Sequence, residues 1–192
     1  MSNHIGLLFG TFNPIHKGHI ALGKYFTAHT AIDTVWYVIS PQSPFKVQET
    51  ILDNHTRLEM VAAALQDEAL LHPSTVEFKL PQPNYTVNTL ELLRTNYPEN
   101  TFTLLMGADN MARFEEWQGY ETILQEHEIF VYPRGDFNPK GLLKHPKIQF
   151  MDAPKMEVSS TTIKAHREQP QKLLKWLPEA VIKIIDQKNL YL

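Results

Sequence analysis

Residues 5–19 read IGLLFGTFNPIHKGH: an unbroken apolar run, then a glycine, a threonine and a proline, then two histidines three apart. The run at 5–9 has the length and the lack of alternation of a strand buried on both faces. Gly10 lets the backbone turn sharply and approach a ligand closely. Asn13 and Pro14 shape the bend. After Lys17, Leu22, Tyr25 and Phe26 fall at helical spacing. A strand, a tight turn and a helix form the opening unit of an open α/β sheet, in which ligands sit outside the carboxyl ends of the strands.

The remaining sequence repeats that alternation. Apolar runs at 35–39, 102–106 and 129–132 read as buried strands, with weaker candidates at 75–78 and 148–151. Between them lie helical patterns carried by Leu58, Met60, Val61, Ala64 and Leu65, and by Val87, Leu90, Leu92 and Leu93. Leu173, Leu177, Val181, Ile184 and Ile185 supply C-terminal helices broken around Pro178. The expected fold is an open parallel Rossmann-like α/β sheet with helices on both faces and a helical C-terminal part, residues 1–192 forming one domain. Two proline-containing loops, SPQSPFKVQET at 40–50 and YPRGDFNPKG at 132–141, stand out as carriers of function.

Composition narrows the classes. A net charge of −3 argues against a general nucleic-acid or membrane-surface binder, and the 43% hydrophobic content suffices for a core. With no cysteine, thiol nucleophiles, disulfides and cysteine metal sites are excluded. No leader pattern and no run of membrane-spanning length is present, so the expectation is a soluble, cytoplasmic protein.

At the start of the first helix His16 and His19 lie about one turn apart, so both rings can face one volume, and Gly18 keeps the surface between them low. Thr11 adds a hydroxyl. Free amides and the helix dipole favour an anion there, which makes a polyphosphate the expected tenant. A capped surface histidine pair and a zinc site are the competing readings, although no glutamate or cysteine completes a metal pattern. A second cradle stands near the other end of the chain in MEVSSTTIK, residues 156–164: Ser159, Ser160 and Thr161 precede a helical stretch, with Lys164 a turn later. Alone, it would read as an ordinary Ser/Thr cap. Asp109, just beyond a strand ending at Gly107, can accept hydrogen bonds from ribose hydroxyls. Trp117 offers a flat face to a cationic ring, whereas Trp36 and Trp176 read as core. Tyr85 and Thr86 sit in a proline-led turn, and Arg134 follows a strand. The histidines at 4, 29, 55, 72, 127, 145 and 166 show no ligand spacing.

GTFNPIHKGH resembles the signature of the HxGH nucleotidyltransferases, with Asn13 where aspartate is frequent, and the Ser-Ser-Thr string resembles that family's ISSTxIR motif, with Lys164 replacing arginine. PNYTVNTL at 83–90 resembles PSYTYDTL, with Asn88 for aspartate. LLMGADNMARFEEW at 104–117 resembles LIGADxxxxLxxW, and HTRLEMVAAAL at 55–65 resembles the segment after a lysine-bearing loop, here SPFK with Lys46. Together these strings resemble the bacterial nicotinate-nucleotide adenylyltransferase family over nearly the whole chain. The resemblance implies transfer of AMP from ATP to nicotinate mononucleotide, giving deamido-NAD and pyrophosphate in NAD biosynthesis. It implies His19, His16 and Lys46 in catalysis. ATP binding falls to Gly10, Thr11, Phe12, His16, His19, Gly107, Asp109, Arg134, Ser159, Ser160, Thr161 and Lys164. Nicotinate mononucleotide binding falls to Lys46, Tyr85, Thr86, Trp117 and Gln118. Mg²⁺ would ride on the ATP phosphates, with no dedicated protein metal site. Oligomeric state stays open, a homo-oligomer included. A preference for nicotinamide mononucleotide or another phosphorylated substrate is the alternative, and a nucleotide-sensing module without turnover is the reading from a different class.

Overall fold

In the computed structural model, residues 3–41, 51–134, 144–155 and 158–191 are described. Six parallel strands form one sheet: β1 (His4–Gly10), β2 (Thr34–Ile39), β3 (Leu71–Ser74), β4 (Thr101–Gly107), β5 (Glu128–Tyr132) and β6 (Ile148–Phe150). Their order is β3-β2-β1-β4-β5-β6, so the direction of winding reverses between β1 and β4. A crevice opens at that switch point, beyond the carboxyl ends of the two strands.

The apolar runs alternate between two cores. Leu8, Tyr37, Leu105 and Phe130 point to one face, where α1 (Lys17–His29), α2 (Asn54–Leu65), α6 (Ser160–Ala165), α7 (Pro170–Trp176) and α8 (Glu179–Gln187) pack. Ile5, Leu7, Leu104, Ile129 and Val131 point to the other, covered by α3 (Thr86–Asn96), α4 (Ala108–Met111) and α5 (Tyr120–Glu126). Burial on both faces is why these strands read as continuous apolar runs.

One expected strand is displaced. Residues 75–78 do not pair; Val76–Lys79 is a 3₁₀ turn, and the third strand is Leu71–Ser74, sequence LHPS. It lies at the sheet edge, where a proline is tolerated because one side of the strand donates no ladder hydrogen bond. An edge strand with two exposed central residues needs no apolar run, so its pattern is silent. The tryptophans assigned to packing do pack: Trp36 meets Tyr97 and Phe102, and Trp176 meets His166.

Two packing features set the walls of the crevice. Arg57 of α2 is fully buried and spends its guanidinium on Leu52 O (2.9 Å), Thr11 O (2.7 Å), Ser40 O (2.8 Å) and Asn54 Oδ1 (2.6 Å). A buried cation needs this many acceptors to offset its lost hydration. They tie the turn after β1 to the end of β2. Gly23 of α1 lies against Tyr37, whose hydroxyl donates to His19 O at 2.9 Å. A Cβ at Gly23 would stand 2.3 Å from that hydroxyl oxygen and 2.9 Å from Leu71 Cδ2. Gly23→Ala is therefore expected to lower unfolding stability by about 1–3 kcal/mol through overpacking. Urea melts check this, and a midpoint equal to wild type would reject the tight fit.

Candidate active site

A cleft of about 360 Å³ opens at the β1/β4 switch point. Its floor is the turn after β1, where Gly10, Thr11, Phe12 and Asn13 line the wall. Phe12 holds a left-handed φ of 45°, a conformation a non-glycine side chain keeps only when its surroundings force it. Its ring is buried, edge-on against His19 at 5.1 Å and tilted against Tyr37 at 5.7 Å, which fixes it. Gly10 answers the same crowding, since a Cβ there would lie 3.0 Å from the Phe12 ring.

His16 is the N-cap of α1 and His19 sits in the first turn. Their rings stack at 3.7 Å with 25° between planes. They share a direction, as the spacing predicts, but not a surface: His19 lines the cleft, while His16 lies behind it, 2% exposed. The His16 backbone N–H donates to His19 Nδ1 at 3.2 Å. An amide can only donate, so that nitrogen is the acceptor and the neutral His19 ring carries its proton on Nε2. Burial pushes the His16 ring down to about 4, with the Arg134 cation adding in the same direction. Burial, then His16, then Arg134 hold His19 well below its ordinary value. Both rings are thus neutral near pH 7, and His19 can serve as an uncharged hydrogen-bond donor.

The second cradle meets the first. Ser159 caps α6 by accepting from Thr162 N at 3.1 Å, and Ser160 Oγ donates to Pro14 O at 3.0 Å. Ser159, Ser160, Thr161 and Lys164 line the same cleft as His19. Two helix openings far apart in the chain thus face one volume.

Opposite them, Gly107 ends β4 and caps α4, bringing Asp109 to the wall. A Cβ at Gly107 would stand 2.6 Å from Asp109 Oδ1 and 2.9 Å from Arg134 Cδ, so the close approach requires glycine. Asp109 Oδ2 pairs with Arg134 Nε at 3.4 Å, both groups part-exposed in the cleft. At the far end stand Tyr85, Thr86, Trp117 and Gln118. The Trp117 ring is half-buried and rests on Phe114 at 5.6 Å, which leaves part of it facing the cleft. Thr86 opens α3, whose first amides have no helical carbonyl to bind.

Of the site residues expected from sequence, all but three lie on this wall. His16 backs His19, Gly107 supports the Asp109–Arg134 pair, and Lys46 lies outside the described residues, as do most of the two proline-containing loops. Among the described residues no group of three or more His, Asp or Glu side chains gathers as a metal cage. No described helix is long and apolar enough to cross a membrane.

The cytidylyltransferase-like family model matches residues 7–166. A protein of Flavobacterium johnsoniae named "Probable nicotinate-nucleotide adenylyltransferase" is 44% identical over 97% of this chain and 98% of its own. A protein of Christiangramia forsetii with the same name is 42% identical over 100% of both chains. The chain belongs to the nicotinate-nucleotide adenylyltransferase family. Its fold is also that of the solved Plasmodium falciparum nicotinic acid mononucleotide adenylyltransferase complexed with NaAD, with a TM-score of 0.82 at 20% identity over 98% of this chain and 97% of that one.

The cleft wall also carries residues that the sequence reading did not single out: Ser40, Asn84, Asn110, Glu116 and Tyr132, which lie inside the quoted motifs and loops, and Glu77, which lies in none of them. Glu77 accepts from Thr89 Oγ1 at 2.8 Å and from Ser40, and burial raises its carboxyl above the usual range. Its other oxygen and Asn84 Oδ1 are buried without a hydrogen-bond partner. No local pattern signals Glu77; it reaches the cleft on the 3₁₀ turn that stands where a strand was expected.

Proposed function

We infer that this chain transfers the adenylyl group of ATP to nicotinate mononucleotide, as one domain built from the whole sequence. What carries the reading is a single cleft that joins the histidine turn and the Ser-Ser-Thr helix to an indole and a free helix opening. A 5′-phosphate oxygen of nicotinate mononucleotide attacks the α-phosphorus of ATP. A new P–O bond forms, the bond to the bridging oxygen breaks, and pyrophosphate leaves with the electron pair. No enzyme nucleophile is needed, so catalysis is in-line positioning and charge stabilisation.

His19 Nε2–H donates to an α-phosphate oxygen, a contact that strengthens as negative charge grows. His16, buried behind it, holds the His19 ring by stacking and makes no contact of its own with the cleft. Thr11, Ser159, Ser160, Thr161 and Lys164 receive the triphosphate, with Lys46 expected beside them. Gly10 and Phe12 shape the floor beneath ATP. Asp109, held beside Gly107, accepts from ribose hydroxyls, and Arg134 faces the phosphates. A divalent cation, Mg²⁺ in this reading, would come bound to the ATP phosphates and would offset part of their charge; among the described residues no group of three or more His, Asp or Glu side chains gathers to hold it.

The first amides of α3 at Thr86, with the backbone at Gln118, suit a nicotinate carboxylate, because the positive end of a helix dipole favours an anion over a neutral amide. Tyr85 borders that pocket. The pyridinium ring stacks on Trp117. Trp117→Ala is expected to raise the KM for nicotinate mononucleotide about tenfold and that for ATP less than twofold, in keeping with ~1.4 kcal/mol for a desolvated cation–π contact. Steady-state kinetics with each substrate varied checks this, and equal effects on both would count against stacking.

Pyrophosphate release on mixing the protein with Mg²⁺-ATP and either nicotinate or nicotinamide mononucleotide tests the reading. Release with the acid substrate supports it. Faster release with the amide moves the assignment to that substrate. Binding of ATP without release from either leaves a nucleotide-sensing module.

A further inference from the structure

The turn that carries Thr11, Phe12 and Asn13 to the phosphates is held by residues remote in sequence: Arg57 on Thr11 O and Ser160 on Pro14 O. A third hold comes from the segment after α8. Tyr191 Oη donates to Asn13 Oδ1 at 2.9 Å, across 178 positions. Asn13 is 2% exposed and borders the cleft, and the same oxygen lies 3.5 Å from Leu52 N, just ahead of α2.

The segment that delivers this hydroxyl is built for it. Past α8 the backbone turns through left-handed conformations at Asn189 (φ 50°) and Tyr191 (φ 64°), neither of them glycine. Non-glycine residues keep such angles only where the surrounding structure over-determines them. Here Leu190 N donates to Ile185 O at 2.9 Å, Arg167 Nε donates to Leu190 O at 3.1 Å, and Arg167 also pairs with Asp186 at 2.8 Å. Leu190 and Tyr191 pack against the core cluster beneath α2 and α8. The segment after α8 therefore both covers apolar surface and aims its phenol at a buried amide of the signature turn.

The geometry points to Tyr191 as a positioning residue for adenylyl transfer: its hydroxyl, acting through Asn13, fixes the turn after β1 so that His19 and the Thr11 region meet the triphosphate in line. The inference rests on the adenylyl-transfer reading above. It assigns to the segment after α8 a share in the alignment of the reacting phosphates, with no contact of its own to substrate.

Tyr191→Phe in the full chain tests it, since the ring and its packing stay while one hydrogen bond is lost. The expected result is a kcat lowered about five- to tenfold, as small misalignments in positioned sites do, with the KM for nicotinate mononucleotide within twofold of wild type. That split follows because Trp117 and Thr86 stand on other elements. Amide hydrogen exchange over residues 10–19 is expected to quicken, while protection of α3 stays the same. Asn13→Ala should lower kcat similarly, and the double variant should be no worse than Asn13→Ala alone, because the two groups act through one bond. Lys188→Met frees α8 from Glu59 without touching the turn and is expected to leave kcat unchanged. Wild-type kcat in Tyr191→Phe, additive losses in the double variant, or unaltered exchange at 10–19 would overturn the proposal. Absence of pyrophosphate release from the wild-type chain would instead overturn the adenylyl-transfer reading, and the exchange measurement would still decide whether Tyr191 holds the turn.

Discussion

His19→Ala is expected to lower kcat about 10³-fold while leaving the thermal midpoint within a few degrees of wild type. The size follows from the position of the group. His19 is a neutral donor whose Nδ1 is already engaged by the His16 amide, so its Nε2–H has one place to go, the cleft. A single preorganised donor aimed at developing oxyanion charge contributes about 10²–10³ in rate. Removing this one also withdraws the stacking partner of His16 and the edge contact to Phe12, which hold the turn. The loss belongs in kcat rather than in KM, because the contact strengthens only as charge builds on the phosphate. Single-turnover rates of pyrophosphate release check it. Turnover near wild type would remove His19 from the mechanism.

The second large effect concerns stability and pH. His16 is almost fully buried and its ring takes a proton only at about 4. In the unfolded chain the same ring titrates near 6.5. Between those values the unfolded state binds more protons than the folded one, so unfolding free energy falls as the pH drops through that window. The full difference amounts to about 3 kcal/mol by pH 4, and it is absent above pH 7. His19, depressed by burial and by His16, slopes the same way. Glu77, raised by burial, slopes the opposite way. The decisive comparison is therefore wild type against His16→Asn, which keeps a good helix N-cap and removes the titration. Urea midpoints at pH 7.5 and 5 should diverge in wild type and draw together in the variant. Equal pH dependence in both would show that burial of His16 is not what separates its two states.

Much of this architecture is written in local pattern. The runs at 5–9, 35–39, 102–106 and 129–132 became the four central strands because strands buried on both faces are apolar at nearly every position. The apolar stripes ahead of β3 and β4 became α2 and α3 for the matching reason of helical period. The edge strand at Leu71–Ser74 carries no apolar run because an edge makes weaker demands on its residues. Residues 75–78 carry the pattern of a strand because Val76 and Phe78 mimic alternation over a span too short to distinguish it from the 3₁₀ turn that forms at Val76–Lys79.

For the site, the sequence by itself determined which chemistry stands at which strand end: two imidazoles at the opening of α1, hydroxyls at the opening of α6, an aspartate after β4 and an indole before α5. Such groups sit next to their own turn residues, so a few neighbouring positions suffice to recognise them. Only the tertiary structure decided that His16 lies behind His19 rather than beside it, that both rings are neutral, and that Arg57, Ser160 and Tyr191 grip the signature turn. Those holds act largely on backbone carbonyls and one buried amide, brought together from three remote stretches. A backbone oxygen is the same in every residue, so nothing in the string of side chains marks which ones will be gripped; that is settled when the sheet closes and the cores on its two faces exclude water.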